Sequence, residues 1–548
     1  MNADLVLYNA YIYPVTGKPI DDGALAIKGD KIVDIGNSED IKAYWGREST
    51  TMIDCKGAFM MPGFIDGHGH FSGLGQNLIQ LDLLSTTSWE EVIDSVTAHV
   101  AKTPAGTWIT GRGWHQEKWD RQIHPSVSGY PYHDALSAIS PNHPVMLKHA
   151  SGHSLLANKA AMDFAKVSLE TADPIGGKII RSQQGNAIGI FEENAMSLIE
   201  SSYRAYQLSR TKEDVNAEWY RAIDEVQQHC LSFGITSFQD AGSTFEEINR
   251  YESLAKAGKL KLRLWAMWRD SLPIIKEELG SFPILRSGEN KFTCRSIKAY
   301  IDGALGSYGA WLLEPYIERP GFIGQNTTPI EEIKTLAEIC LSSGMQMAVH
   351  AIGDKGNRTV LDIYEATTRS HSEKQNLRWR IEHAQHIDPA DMDRIAEMNV
   401  IASMQAIHCI SDAPFVVKRI GENRAKTGAY AWRSLLDKGV VIANGTDAPV
   451  ERVDPVPNFY ASVTRKRIDT GEAFFPEQSM TREEALKSMT LSNAYAAFEE
   501  DIKGSLEKGK LADIILLTEN LLTCEEDSIL STRVIMTIVG GKIEYQAK

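Results

Sequence analysis

Met61-Pro-Gly-Phe-Ile-Asp-Gly-His-Gly-His70 ends a short apolar run with two histidines one residue apart. Alternate side chains of a strand share a face, so His68 and His70 can converge on one metal ion from the end of a buried strand. Alone, the pair is equally compatible with a polar turn that contains two histidines. What separates the readings is whether more ligands follow at the ends of later strands, and they do.

From Gly234 onward, short apolar runs alternate with helical segments: GITSFQDAG, KLRLWAMWRD, FTCRSIKAYIDG, MQMAVHAIGD, LRWRIEHAQHI, VIASMQAIH and VVIANGTDAPV. With FMMPGFIDGHGH first, they make eight runs, the number that closes a (β/α)8 TIM barrel. A barrel of about 250 residues spends roughly 30 per βα unit, close to the interval from His350 to His383. A doubly wound open sheet is the alternative, but the Gly-rich nucleotide fingerprint expected after its first strand is absent.

The stretch between the first and second runs is far too long for one unit. It holds elements of its own (SWEEVIDSVTAHVAK, TWITGRGW, PVMLKHASGHSLLANKAAM, GGKIIRSQQGNAIGIF), so residues 71–233 read as an ordered insertion expected to cover the active site. Residues 1–60 and 503–548 share a texture of short alternating bursts, read as antiparallel strands of a small β-sandwich domain built from both termini. Residues 61–502 then form the catalytic barrel.

The chain has 548 residues, 43% of them hydrophobic, enough for a large catalytic domain and a smaller one. A net charge of −15 argues against nucleic acid and anionic membranes as partners, leaving a small-molecule substrate, with a homodimer left open. The six cysteines form no C-x-x-C pair, and neither a signal peptide nor a membrane span is indicated, so a reducing cytoplasm is the expected setting.

His68 and His70, Lys298, His350, His383 and Asp447 all stand at the C-terminal ends of proposed strands, which a barrel gathers on one face. Imidazole and carboxylate donors suit zinc, and also manganese, iron or nickel. His350 or His383 alone would be read as a satisfied interior histidine, and Asp447 alone as a turn or cap aspartate. As a set with the opening pair they read as ligands, with Asp447 as candidate general base. An ammonium cannot ligate, so Lys298 is either a lysine snorkelling from its strand or, once neutral, an amine able to add carbon dioxide and bridge two metals as a carbamate.

These residues give the chain a resemblance to the amidohydrolase superfamily, and within it to the amidohydrolase family 3 group typified by N-substituted formamide deformylase. The superfamily pattern is carried by PGFIDGHGH, His350, His383, Asp447 and GSLEKGKLADIILL (504–517). The group pattern is carried by GRGWHQEKWD (111–120), PVMLKHASGHSLLAN (144–158), DPIGGKII (173–180), GITSFQDAG (234–242), IKAYIDGALGS (297–307) and HAIGD (350–354). The resemblance implies a divalent metal, zinc, at two ions per chain: His68, His70 and Asp447 on the first, His350 and His383 on the second, and a carboxylated Lys298 bridging them. The chain departs from common group wording at Lys148, where arginine is frequent, and at Tyr132-His133-Asp134, which weakens any transfer of substrate.

The implied reaction is metal-assisted hydrolysis of a C–N bond outside peptides, in an N-formyl or N-acyl amine. Metal-activated hydroxide would attack, with Asp447 as general acid and base. A mononuclear deaminase or cyclic amidase of the same superfamily is the rival, disfavoured by HAIGD and by Lys298; a noncatalytic scaffold should have lost ligands. Trp114, His153, Gln405 and His408 are candidate substrate contacts. Packing for Trp114, a loop hydrogen bond for His153 and ordinary strand-end polarity for Gln405 and His408 are the plain alternatives.

Overall fold

The computed structural model describes residues 2–116, 119–121, 123–150, 153–369 and 376–548. Within the motifs quoted above, Glu117, Lys118, Ser151 and Gly152 lie outside the described residues. The apolar runs become eight parallel strands in chain order: β1 Phe64–Gly69, β2 Ile235–Ser243, β3 Arg263–Trp268, β4 Phe292–Tyr300, β5 Gln346–Ala351, β6 Arg380–His383, β7 Ile401–Met404 and β8 Ile442–Asn444. Every residue of β3 and β5 is buried, as expected of strands covered on both faces. Between strands run α1 Phe245–Lys256, α2 Leu272–Glu278, α3 Ile330–Ser343, α4 Asp354–Arg369, α5 Pro389–Glu397, α6 Ala406–Ile420 and, after β8, α7 Pro455–Thr464. α4 shows why they dock: Asn357, Val360, Leu361, Tyr364 and Thr367 recur at helical spacing and form its buried stripe.

Among the described residues no strand ladder joins β8 to β1, and a side chain spans the seam. Asn493, in α8 Leu491–Ala496, donates to Ile65 O at 2.6 Å and Asn444 O at 2.7 Å, and accepts from Asn444 N–H at 3.0 Å. A Cβ on Gly67 would stand 2.4 Å from the Asn493 amide oxygen, so glycine is required where the amide enters.

Both termini build one mixed sheet of eight strands, with Leu5–Ile12 between Phe59–Pro62 and Ile20–Lys28, and Ile514–Leu517 on the far side of Phe59–Pro62. Its main core unites Leu25 and Ile27 with Ile514 and Ile538. Thr51–Asp54 and Phe59–Pro62 pair with Leu5–Ile12 in parallel, which corrects the all-antiparallel expectation. The reason is the helix Ser38–Trp45, which carries the chain back across the sheet as a crossover.

Sheet and barrel make one compact unit, residues 1–71 and 227–548, with Arg263 of β3 held to Asp513 by bonds of 2.7 and 2.9 Å. Residues 72–226 form a second compact unit with a six-stranded sheet, which includes Ile109–Trp114, Val145–His149, Ser154–Ala157 and the hairpin Gly177–Arg181 with Ala187–Glu193. Among the described residues the six cysteines are unpaired, and no helix is long and apolar enough to cross a membrane.

Candidate metal centre

The MPGFIDGHGH segment is locked to the loop after β8 by its own backbone. Asp447 N–H donates to His68 O and His70 N–H to Ala448 O, both at 2.7 Å. Asp66 adds a side-chain clasp, accepting from Thr446 Oγ1 at 2.6 Å, Thr446 N–H at 3.0 Å and His68 N–H at 3.2 Å. Burial pushes its carboxyl up to about 7. These bonds set the Asp447 carboxylate 3.1 Å from His70 Nε2 and 3.6 Å from His68 Nε2. Asp447 and His383 both have left-handed backbones, φ 57° and 73°, a strain the surrounding hydrogen bonds sustain where the ligands turn inward.

Two groups of donor atoms each lie within 4.8 Å of one another: His68, His70 and Asp447, and His383, His408 and Asp447. The first is the trio expected for one metal. The second brings His408 and Asp447 to His383, while the ring of His350, the other residue expected with His383, lies 4.4 Å from that of His383. Hydrogen bonds assign the protons. Gln405 Oε1 accepts from His383 Nδ1 at 2.7 Å, which leaves a lone pair on Nε2. Gln385 Nε2 donates to His408 Nδ1 at 3.1 Å, so a proton of His408 sits on Nε2, the atom 3.7 Å from Asp447 Oδ2. His408 is therefore suited to donate, and His383 to ligate.

His68 is governed from inside the barrel. Its Nδ1 bonds Glu382, an acceptor-only carboxylate, so the lone pair falls on Nε2. Glu382 takes a 2.6 Å bond from Arg380 Nε, and Arg380 also donates to Gln239, Gly67 O and Ser403 at 2.5 to 2.8 Å. Burial raises the Glu382 carboxyl, but the Arg380 guanidinium and His68 hold it well below the usual range. Burial, helped by the Lys298 charge, pushes His68 down to about 4 and His350 and His383 well below the ordinary histidine value. Asp447 is held low despite burial by its hydrogen bond to His70 and by the neighbouring imidazoles. The centre thus pairs neutral His68, His350 and His383 with an anionic Asp447 at neutral pH.

The polar atoms left over mark where a ligand would sit. Among the described residues, His68 Nε2, both nitrogens of His350, His408 Nε2 and Lys298 Nζ are buried without a hydrogen-bond partner. Lys298 is 2% exposed, its Nζ 4.4 Å from the centre of the Tyr300 ring, which lies 5.0 Å from that of His350. Asp302 fastens the loop after β4 to the loop after β5, accepting from Trp311, Ile352 and Gly353 N–H at 2.8 to 2.9 Å.

Of the candidate substrate contacts, Gln405 and His408 belong to this centre, through His383 and Asp447. Trp114 and His153 belong to the second unit. Trp114 is fully buried in its core and donates to Leu147 O at 2.9 Å; His153 is exposed and 3.0 Å from Glu193. Sequence reasoning gave no role to Glu382, Arg380, Asp66 or Asn493. The available signal was an arginine and a glutamate two apart in the buried strand RIEH, sharing the inward face. A separate cavity of about 470 Å³, beside Gly439 to Ile442, is lined by none of the candidate ligands.

Residues 51–545 match the model of the amidohydrolase family. Protein LONG AFTER FAR-RED 3 of Arabidopsis thaliana is 30% identical over 99% of this chain and 92% of its own length. N-substituted formamide deformylase of Arthrobacter pascens is 25% identical over 99% of this chain and 98% of its own. The crystal structure of an uncharacterized metal-dependent hydrolase from Pyrococcus furiosus is similar with a TM-score of 0.72 at 27% identity, covering 95% of this chain and 100% of that one.

Proposed function

The chain belongs to the amidohydrolase family, and on that premise we propose that it is a metal-dependent hydrolase of a C–N bond outside peptides, in an N-formyl or N-acyl amine. The observation that carries this is the convergence, among the described residues, of buried side-chain nitrogens without hydrogen-bond partners from His68, His350 and Lys298 with the Asp447 carboxylate at one end of the barrel. His68, His70 and Asp447 would hold one divalent ion, zinc, and His350 and His383 a second, with Lys298 as a carbamate between them. The burial of Lys298 Nζ beside imidazoles, without a hydrogen-bond partner among the described residues, supports the carbamate. When bound, such an ion supplies a nucleophilic water at neutral pH and a Lewis acid for the substrate oxygen.

The chain's own residues do the rest. Asp447, anionic at neutral pH, takes the proton of the attacking water at a carboxylate oxygen and returns it to the departing amine. His408 Nε2–H, 3.7 Å from the same carboxylate, would donate to the oxygen that gains charge on the substrate. Glu382 and Gln405 keep His68 and His383 in the tautomers that offer Nε2. The free cysteines support a reducing cytoplasm as the setting.

A single-ion reading, with deaminase chemistry, has one observation in its favour: both donor groups share Asp447. Metal content decides. The parent should carry two ions per chain and Lys298→Ala one or none; equal two-ion loading in the variant refutes the bridge. With metal restored, N-formyl and N-acyl amines should be hydrolysed, and release of ammonia from aminated heterocycles alone would overturn the amide reading.

A further inference from the structure

The inside of a closed parallel barrel is ordinarily filled by layers of branched apolar side chains. Here the layer that reaches His68 is polar: Gln239 of β2, Arg380 and Glu382 of β6 and Ser403 of β7 are all fully buried. Burying a charge is costly unless it is paired and its donors find acceptors. Glu382 pairs with Arg380 and also bonds His68 Nδ1, so one carboxylate balances the guanidinium and orients the histidine. Arg380 has two further arms. Its Nη2 donates to Gly67 O, the carbonyl just before His68, and to Ser403 Oγ, both at 2.8 Å, and its Nη1 donates to Gln239 Oε1 at 2.5 Å. The guanidinium therefore grips both the backbone of the opening motif and the carboxylate that orients its first histidine.

Gln239 serves two partners with one amide. A guanidinium only donates and a backbone carbonyl only accepts, so the partners fix its orientation: Oε1 faces Arg380, and Nε2 donates to Asn493 O at 2.7 Å. Asn493 is the residue whose side chain spans the seam between β8 and β1. Packing asks only for volume, whereas these partners ask for an acceptor at one oxygen and a donor beside it. Glutamine supplies both, glutamate only the acceptor and leucine neither.

We infer that Gln239 is a positioning residue of the metal centre. By holding Arg380 it keeps the Glu382 carboxylate on His68 Nδ1, and with it His68 Nε2 turned to the ion; through Asn493 it ties that alignment to the closing of the barrel. This rests on the hydrolase reading above and adds a residue to its machinery. Gln239 acts through Arg380 and Glu382, at a distance from the reacting atoms.

Two measurements on the full-length protein test this, and neither needs a substrate. In chelator-treated protein with isotope-labelled histidine, the magnetic resonance of the His68 Nδ1–H proton, identified by its loss in Glu382→Gln, should shift or vanish in Gln239→Leu and stay in place in Gln239→Glu, which keeps an acceptor for Arg380. In competition titrations with zinc, Gln239→Leu should weaken the ion held by His68 about tenfold or more and Gln239→Glu less than about threefold. Added to Glu382→Gln, Gln239→Leu should cost less than about threefold more, because the relay is already cut. Both Gln239 variants lose the bond to Asn493 and should melt below the parent, so a merely structural role predicts equal effects of the two on metal. Equal affinity losses in the two variants, losses that multiply in the double variant, or an unmoved His68 resonance in Gln239→Leu each overturn the inference. Should Gln239→Leu not fold, Gln239→Glu decides: retained affinity and an unmoved resonance support the relay, and a tenfold loss refutes it. A parent that binds zinc but hydrolyses no amide counts against the hydrolase reading instead, and leaves these measurements to decide the role of Gln239.

Discussion

An imidazole offers a lone pair to a metal only when its other nitrogen keeps the proton, and for His68 that choice belongs to Glu382. Glu382→Gln can turn its NH2 toward Nδ1 and shift the proton to Nε2, so metal affinity should fall by about 10- to 100-fold while circular dichroism stays native; direct metal titration measures it. Undiminished affinity would show that His68 needs no such partner. His386 offers a separate check on burial. Among the described residues neither ring nitrogen has a hydrogen-bond partner, and burial, with the Arg424 charge, pushes its pKa down to about 3. Between the ordinary histidine value near 6.5 and about 3, the unfolded chain takes up a proton that the folded chain refuses, so stability is lost as pH falls. His386→Leu removes this uptake; its unfolding free energy in urea should fall less steeply below pH 6 than the parent's, by roughly 1 kcal/mol per pH unit. Parallel slopes would contradict it. At this scale the sequence was most legible where residue type is unusual for its place, as with His68, His70 and Asp447. Glu382 went unread because a carboxylate in a short strand means nothing until the fold shows which histidine it faces.

Elements were legible through period and less so through pairing. The eight barrel runs stand out because both faces of each strand are buried, and continuous apolarity is a robust signal. Pairing direction in the terminal sheet was not available, since alternation is the same in parallel and antiparallel strands. The closing of the barrel was hidden too, because β8 is only three residues long and its seam partner is an amide on the helix Leu491–Ala496. Asn493→Ala would leave Ile65 O, Asn444 O and Asn444 N without that partner, a loss of about 2 to 4 kcal/mol, and should speed amide exchange first in β1 and β8. Because the same seam holds His68 beside Asp447, metal affinity should drop with it. A variant of unchanged melting temperature would mean that loop contacts alone close the barrel.

Across the whole molecule, the division into terminal sheet, barrel and insertion follows from where the strand texture changes, whereas the function of residues 72–226 is written in side chains whose partners the sequence does not reveal. The terminal sheet makes the two ends interdependent: Phe59–Pro62 is paired on one side by Leu5–Ile12 and on the other by Ile514–Leu517. A chain stopped before Ile514 would expose an open edge above an apolar core that includes Leu25, Ile27 and Met60, and is expected to aggregate; a soluble monomer with normal metal content, seen by size exclusion, would refute this. The same pairing has a consequence during synthesis. Phe59–Pro62 leaves the ribosome long before its C-terminal partner exists, an interval on the order of tens of seconds at ordinary translation rates. For that time the nascent chain carries an unfinished sheet ahead of its barrel, so this enzyme should depend more on holding chaperones while it is being made than after release.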